Sequence, residues 1–169
     1  MRWSLFLVLI LLGSSVPVAS QSTTPQFTHV TITMKTDGGP CLCMDENELG
    51  CCPAYFASGD ENGAVKYEGV ARVKTRGEKT HSISPATVRD LVANFLSINF
   101  FSLENEYRIK KLPDGSAIGT DHSNGTTISI DLDGKRKSVY IFYGAPDELA
   151  DLKRKLFAEL QIAEYVGHA

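Results

Sequence analysis

Four cysteines lie within a stretch of twelve residues, and this cluster constrains the fold more than any other feature of the chain. The cysteines are Cys41, Cys43, Cys51 and Cys52. Cysteines this close together in an exported protein form disulfides rather than remain free thiols. The spacing therefore predicts a disulfide-stapled loop at the N-terminal edge of a small domain.

The first twenty residues have the three parts of an export signal. Arg2 supplies a positive charge, residues 3–12 are an apolar run, and the small residues of Val18-Ala19-Ser20 suit cleavage before Gln21. The apolar run is much shorter than the ~20 residues that a membrane-spanning helix needs. We therefore expect residues 1–20 to be removed as a signal peptide. The mature chain is expected to be secreted or periplasmic, without a membrane span.

Removing residues 1–20 from the 169-residue chain leaves 149 residues. That length suits a single domain that buries about 70% of the surface of its unfolded chain. Residues 21–26 are polar and predict a disordered tether, so one domain is expected over residues 27–165. The net charge of −3 becomes −4 without Arg2, and a mildly acidic chain binds polyanions poorly. No nucleic-acid partner is expected.

The first half of the domain shows the alternation of apolar and polar residues that is typical of strands, followed by one helical pattern. An Asn-Gly turn at residues 62–63 predicts a hairpin between two of the strands. Ser84 and Pro85 are a helix cap and a first-turn proline. The strands are predicted at residues 27–34, 55–57, 65–67 and 70–74. The buried stripe of the helix is predicted to be Val88, Leu91, Val92, Phe95 and Leu96.

The second half begins with a long segment that has no periodic pattern. Residues 108–125 contain one proline and three glycines, and so long an irregular loop in a small domain is either mobile or functional. Residues 126–132 and 138–143 then predict a hairpin around Asp133-Gly134. A helix is expected to begin near Pro146. Its buried stripe is predicted to be Leu149, Leu152, Leu156, Phe157 and Leu160.

The order of elements is strands, helix, strands, helix. This order is typical of an α+β domain, in which helices pack on one face of an antiparallel sheet. The sequence therefore predicts a sheet of about five or six strands covered by two amphipathic helices.

The geometry of disulfides limits how the cysteines pair. Adjacent Cys51 and Cys52 can bond to each other only with a strained ring, and Cys41 and Cys43 have nearly the same difficulty. Bonds between the two pairs are favoured, which leaves two connectivities. The nested one, Cys41–Cys52 with Cys43–Cys51, fits two strand ends that close over residues 44–50. A closed loop of this size contributes about 3 kcal/mol in the chain-entropy model.

An ordered series of short motifs runs along the domain: Cys52-Pro53-Ala54-Tyr55, Gly63, Val65, Tyr67-Glu68-Gly69, Phe100-Phe101-Ser102-Leu103 and Tyr143-Gly144-Ala145-Pro146. Together these motifs resemble a bacterial family of exported domains of unknown function. The resemblance covers about residues 27–163 and implies that Cys41 and Cys52, beside Pro40 and Pro53, are the two cysteines of the family. Cys43 and Cys51 would then be an added pair, as a second, inner disulfide requires. The family brings no established activity.

Soft-metal binding or thiol redox chemistry at the cysteines is the first alternative. A redox site of the thioredoxin type needs two residues between its cysteines, but Cys41 and Cys43 are separated by one. Four thiolates could hold zinc or copper(I), although adjacent Cys51 and Cys52 make a regular tetrahedral site awkward. No metal or other cofactor is expected.

Hydrolytic chemistry has little support in the sequence. Asp121, His122 and Ser123 are the residue types of a catalytic triad, but consecutive side chains point in different directions and cannot form one unaided. The chain is therefore not expected to be an enzyme. Asn124-Gly125-Thr126 matches the N-glycosylation motif, which would be used only in a eukaryotic source, whereas the resemblance indicates a bacterial one.

The sequence favours a small exported binding or interaction module whose ligand it does not specify. Loops held by a rigid scaffold are where binding residues concentrate, and two loops meet that description. The partner is expected to be another exported or cell-envelope protein, and a purely structural, disulfide-stabilised domain is the second alternative. The interaction residues are predicted to be Asp45, Glu46, Glu48 and Leu49 in the first loop, and Lys110, Lys111, Asp121 and His122 in the second.

Overall fold

One large sheet and a small one are formed by the residues that the computed structural model describes, which are 25–39, 51–120 and 124–167. The strands are β1 Val30–Asp37, β2 Ala54–Asp60, β3 Ala64–Ala71, β4 Gly77–Ser82, β5 Glu106–Tyr107, β6 Ile109–Lys111, β7 Ala117–Gly119, β8 Thr126–Leu132 and β9 Lys135–Ile141. The helices are α1 Pro85–Ser97, α2 Asp147–Glu159 and α3 Ala163–Val166, with a 3-10 turn at Phe100–Ser102.

The large sheet has seven strands in the order β4-β3-β2-β1-β8-β9-β5. Its neighbours are antiparallel except for β5, which runs parallel to β9. Strands β6 and β7 form the separate two-stranded sheet. Because β1 lies between β2 and β8, Thr36 is paired with both Tyr55 and Thr126. This pairing brings residues from distant parts of the sequence to one end of the sheet.

The core lies between one face of the sheet and the helices. Val30, Ile32 and Met34 alternate on that face of β1 and are at most 1% exposed, as the sequence predicts. The opposite face carries polar side chains such as Thr33 and Ser129, which the strand pairing places side by side. The α+β class and the packing of the main helices against one side of a largely antiparallel sheet are therefore confirmed.

Helix α1 begins where its cap predicts. The Ser84 hydroxyl accepts a hydrogen bond from the Thr87 backbone N–H at 3.0 Å, which satisfies one free donor of the first turn. The predicted stripe is buried at Val88, Leu91, Val92 and Phe95. Leu96 is 44% exposed, however, so its place in the stripe was wrong. A residue directly after Phe95 lies about 100° around the helix, which turns Leu96 away from the sheet.

The predicted number of strands was too low, and the prediction for residues 70–74 was wrong. Val70 and Ala71 end β3, and the chain then turns, with Arg72 at φ 53° and Gly77 at φ 79°. The next strand is β4, at the edge of the sheet. Its polar residues are almost all exposed, so it shows none of the alternation from which a half-buried strand is predicted.

The sequence predicts an irregular loop over residues 108–125, but the described part of this segment contains two strands. Strands β6 and β7 pair antiparallel within it, and Leu112 N–H donates to Ser116 O at 2.8 Å across the turn. All residues of both strands are exposed, so no apolar pattern marks them in the sequence. The short helix α3 was also unpredicted. No helix in the described part of the chain is long and apolar enough to cross a membrane.

Candidate functional site

The first predicted interaction loop lies outside the described residues, and with it Asp45, Glu46, Glu48, Leu49, Cys41 and Cys43. The described cysteines, Cys51 and Cys52, are not free thiols. The structure therefore does not establish the predicted staple from Cys41 to Cys52, and its connectivity stays a prediction.

The second predicted loop is described only in part. Lys110 and Lys111 are exposed on β6, whereas Asp121 and His122 lie outside the described residues. The base of the β6–β7 hairpin rests against Gly144. A Cβ atom at Gly144 would lie 2.5 Å from the Ile109 carbonyl oxygen, so the two backbones approach too closely for a side chain. The Tyr143-Gly144-Ala145-Pro146 motif thus seats this hairpin.

Asn124 connects the two ends of chain that flank the cysteine segment. Gly38 N–H donates to Asn124 Oδ1 at 3.1 Å, and Asn124 Nδ2 donates to the Pro53 carbonyl oxygen at 3.0 Å. The Thr36 hydroxyl donates to the same carbonyl oxygen at 2.6 Å. We call Asn124, Gly38 and Pro53 the stem clamp. It holds the chain in place on both sides of residues 39–52.

The sheet explains why the stem clamp forms. Strand β1 ends beside the first residue of β8, and Asp37 N–H donates to Gly125 O at 3.2 Å. Asn124 therefore sits at the point where β1 leaves the sheet, two residues before the start of β8. Pro53, on the other side of β1, is the residue directly before β2. Because both polar atoms of its side-chain amide are engaged, Asn124 is a poor glycosylation acceptor. Modification of Nδ2 would break the hydrogen bond to Pro53.

A cavity of about 450 Å³ lies beside the stem clamp, between the sheet and α2. The sheet contributes Met34, Tyr55 and Thr126 to its walls, and α2 contributes Lys153, Arg154 and Phe157. We call this the stem cavity. Its volume falls within the ~300–1,000 Å³ of small-molecule sites, and its apolar walls with a few polar groups are typical of such sites.

One polar group in the stem cavity has no partner. Thr126 is 0% exposed, and its hydroxyl makes no hydrogen bond within the described part of the chain. A buried hydroxyl left in this state costs about 1–3 kcal/mol of folding free energy. Thr36 and Asn124 also line the cavity, but both bond to the Pro53 carbonyl oxygen, whereas the Tyr55 phenol is a further uncharged donor in its wall. Thr126 is thus the fully buried polar group of the cavity that a ligand could satisfy.

The charged groups of the stem cavity are both cations. Burial lowers the pKa of the Lys153 ammonium, because a desolvated cation is less stable than a hydrated one. Arg154 also lines the cavity and pairs with Asp151 on the exposed side of α2. Burial, with a smaller effect of Tyr67, raises the pKa of Tyr55, so its phenol stays neutral at physiological pH. No described acidic residue lines this cavity.

Three other clefts in the described structure are larger. They measure about 690 Å³ beside Phe27 and Arg89, about 560 Å³ between the β6 strand and Gly144, and about 510 Å³ on the polar face of the sheet. Volume alone therefore does not identify which of these clefts and the stem cavity is the candidate site. None of these three clefts is lined by a buried polar group that lacks a partner, whereas the stem cavity is.

The fold and the cavity define a small α+β domain with a ligand-sized cavity at one end of its sheet. A family model described as a domain of unknown function (DUF6438) matches residues 46–159. The match covers more than half of the chain, so the chain belongs to this family. No curated protein matches it. The expectation of a family of unknown function is confirmed, whereas the bacterial source and the export remain predictions.

Sequence reasoning missed the stem cavity. Tyr55 and Thr126 were assigned to strands, and Lys153 and Arg154 belong to a run of charges that is typical of a solvated surface. One signal was present in the spacing. Lys153 is four residues from both Leu149 and Phe157, and residues four apart lie on the same face of a helix. Helical periodicity therefore places Lys153 beside the buried stripe.

Proposed function

We propose that the protein is a small exported binding module without catalytic activity, and that its ligand occupies the stem cavity. The observation that carries the proposal is the Thr126 hydroxyl, which is fully buried, lines the cavity and lacks a hydrogen-bond partner in the described structure. The stem clamp supports it, because a site fixed by hydrogen bonds needs little rearrangement when a ligand binds. Asp45, Glu46, Glu48 and Leu49 stay proposed as contacts to a second exported protein.

The non-catalytic part of the proposal rests on the chemistry of the cavity walls. A hydroxyl nucleophile needs an adjacent general base, and no His, Asp or Glu is among the described residues that line the cavity. Lys153 is the group there that could accept a proton. Its amine does not bond to the Thr126 hydroxyl, which has no partner in the described structure. The walls are therefore suited to holding a molecule rather than transforming it.

A library of small neutral, cationic and anionic compounds tests the proposal. We expect at least one chemical class to shift the NMR signals of Tyr55, Thr126 and Phe157 in the mature protein, and to raise its melting temperature. Phe157→Trp should abolish the shifts by filling the cavity. Phe56→Trp, on the opposite face of the sheet, should leave them unchanged. If no compound shifts these signals, or if Phe157→Trp binds normally, the cavity is not the site and the purely structural role is favoured.

The intact mass of the exported protein tests the proposed export and disulfides. We expect a mature chain that starts at Gln21 and carries no alkyl groups after denaturation with alkylating agent but without reductant. Neither Cys51 nor Cys52 is a free thiol, which supports this expectation. Four alkylated thiols with metal in the native mass would instead favour a soft-metal site. Four alkylated thiols without metal would favour the redox alternative.

A further inference from the structure

We propose that the ligand of the stem cavity is a small organic carboxylate with an apolar body. This inference rests on the proposed function and names the chemical class of its ligand. The carboxylate would accept a hydrogen bond from the Thr126 hydroxyl and pair with the cations of α2. The apolar body would lie against the walls of the cavity.

The charges of the cavity select an anion. Lys153 and Arg154 line it, and no acidic residue is among its described walls. Tyr55 stays neutral, because burial raises its pKa, and so adds no opposing charge. An ammonium held in a poorly hydrated position gains most from a negative partner, because the attraction between charges is stronger where water is excluded. A cationic ligand would be repelled by Lys153 and Arg154 for the same reason.

The hydrogen-bonding groups also favour an acceptor. A hydroxyl, an ammonium and a guanidinium all donate, and the last two have no capacity to accept. Thr126 is a fully buried, unpaired donor in the wall, and the neutral Tyr55 phenol is a second uncharged donor, whereas Thr36 and Asn124 bond to the Pro53 carbonyl oxygen. Hydrogen bonds to an ionised acceptor are roughly twice as strong as those between neutral groups. A carboxylate oxygen therefore fits this group better than an amide or alcohol oxygen.

The apolar walls distinguish an organic carboxylate from inorganic phosphate. Met34 and Tyr55 are at most 2% exposed, and Phe157 is half-buried on the facing helix. A phosphate ion would leave these apolar surfaces without a partner. A hydrocarbon chain or ring gains about 25 cal/mol for each Å² of apolar surface that it buries there.

Titration calorimetry of the mature protein with matched probes tests the ligand class. Octanoate and phenylacetate are the carboxylate probes, octanamide and phenylacetamide are their neutral counterparts, and inorganic phosphate is the small anion. We expect the carboxylates to bind at least tenfold more tightly than the amides, and phosphate not to bind. Amides that bind as well as the carboxylates would overturn the inference. So would phosphate that binds more tightly. Neither result would contradict a ligand site in the stem cavity.

Two variants assign the effect to the cavity. Thr126→Val keeps the shape of the side chain but removes the hydroxyl, and should weaken carboxylate binding about five- to tenfold while raising the melting temperature of the free protein. Lys153→Gln should weaken binding at least tenfold. Lys155→Gln is the matched control, because Lys155 is on the same helix but does not line the cavity, and its affinity should stay within twofold. Equal losses in the two lysine variants would show a general charge effect and overturn the site.

Discussion

Gly144→Ala is expected to lower the free energy of unfolding by more than about 3 kcal/mol, the largest effect of any substitution considered for this chain. Gly144 has φ 75°, a conformation that residues with a Cβ atom rarely adopt. An added Cβ would lie 2.5 Å from the carbonyl oxygen of Ile109 and 2.5 Å from both the N and Cα atoms of Lys110. These are backbone atoms, so relief requires the β6–β7 hairpin to move.

Gly134→Ala is the control that separates the cost of a positive φ from the cost of a steric clash with the hairpin backbone. Gly134 has φ 85°, but nothing lies within 4 Å of an added Cβ at that position. Its substitution should therefore cost only about 1 kcal/mol, the penalty of the left-handed conformation itself. Urea denaturation of both variants measures the difference, and hydrogen exchange shows whether residues 109–119 become less protected in Gly144→Ala. Equal losses of stability would mean that the hairpin does not rest on Gly144.

Asn124→Asp should lower the free energy of unfolding by about 2–3 kcal/mol at neutral pH. The substituted oxygen would face the Pro53 carbonyl oxygen at the position from which Nδ2 now donates across 3.0 Å. A carboxylate cannot donate, so two acceptors would meet in a half-buried site. The bond from Gly38 N–H to the other oxygen would remain. The loss should shrink as the pH falls through the carboxyl pKa, because a protonated carboxyl can donate to Pro53 again.

Asn62→Asp provides the matched control for the stem clamp. Asn62 also precedes a glycine, but it is exposed in the turn between β2 and β3. Its substitution should change stability by no more than about 0.5 kcal/mol. Thermal unfolding across a range of pH compares the two variants. A loss in Asn124→Asp no greater than that in Asn62→Asp would show that Asn124 does not hold the flanks of the cysteine segment.

Elements with a buried stripe were predictable, because their side chains follow the period of the backbone. Strand β1 buries its apolar residues as the sequence predicts, and α1 and α2 do so except at Leu96, which is exposed, and Phe157, which is half-buried. Elements without such a stripe were not. Strands β4, β6 and β7 are exposed on nearly every residue, so their strand pairing leaves no mark in the order of apolar and polar residues.

The candidate site was less predictable than the fold. The residues chosen from the sequence were loop residues, on the ground that loops carry binding groups. The cavity is instead built from strand and helix residues such as Tyr55, Thr126 and Lys153. Each of these has an ordinary place in the pattern of its own element. Their common location depends on which strands are neighbours and on where α2 crosses the sheet.

The sequence by itself determined the class of the fold, the identity of its main elements and the faces that they bury. Those properties are local, since they follow from periodicity, caps and turns within about twenty residues. The tertiary structure alone decided the order of the strands, and with it the stem clamp and the stem cavity. Asn124 is 86 residues from Gly38 and 71 from Pro53 along the chain, yet it bonds to both. Contacts at such distances follow from the packing of the whole sheet, which no local pattern records.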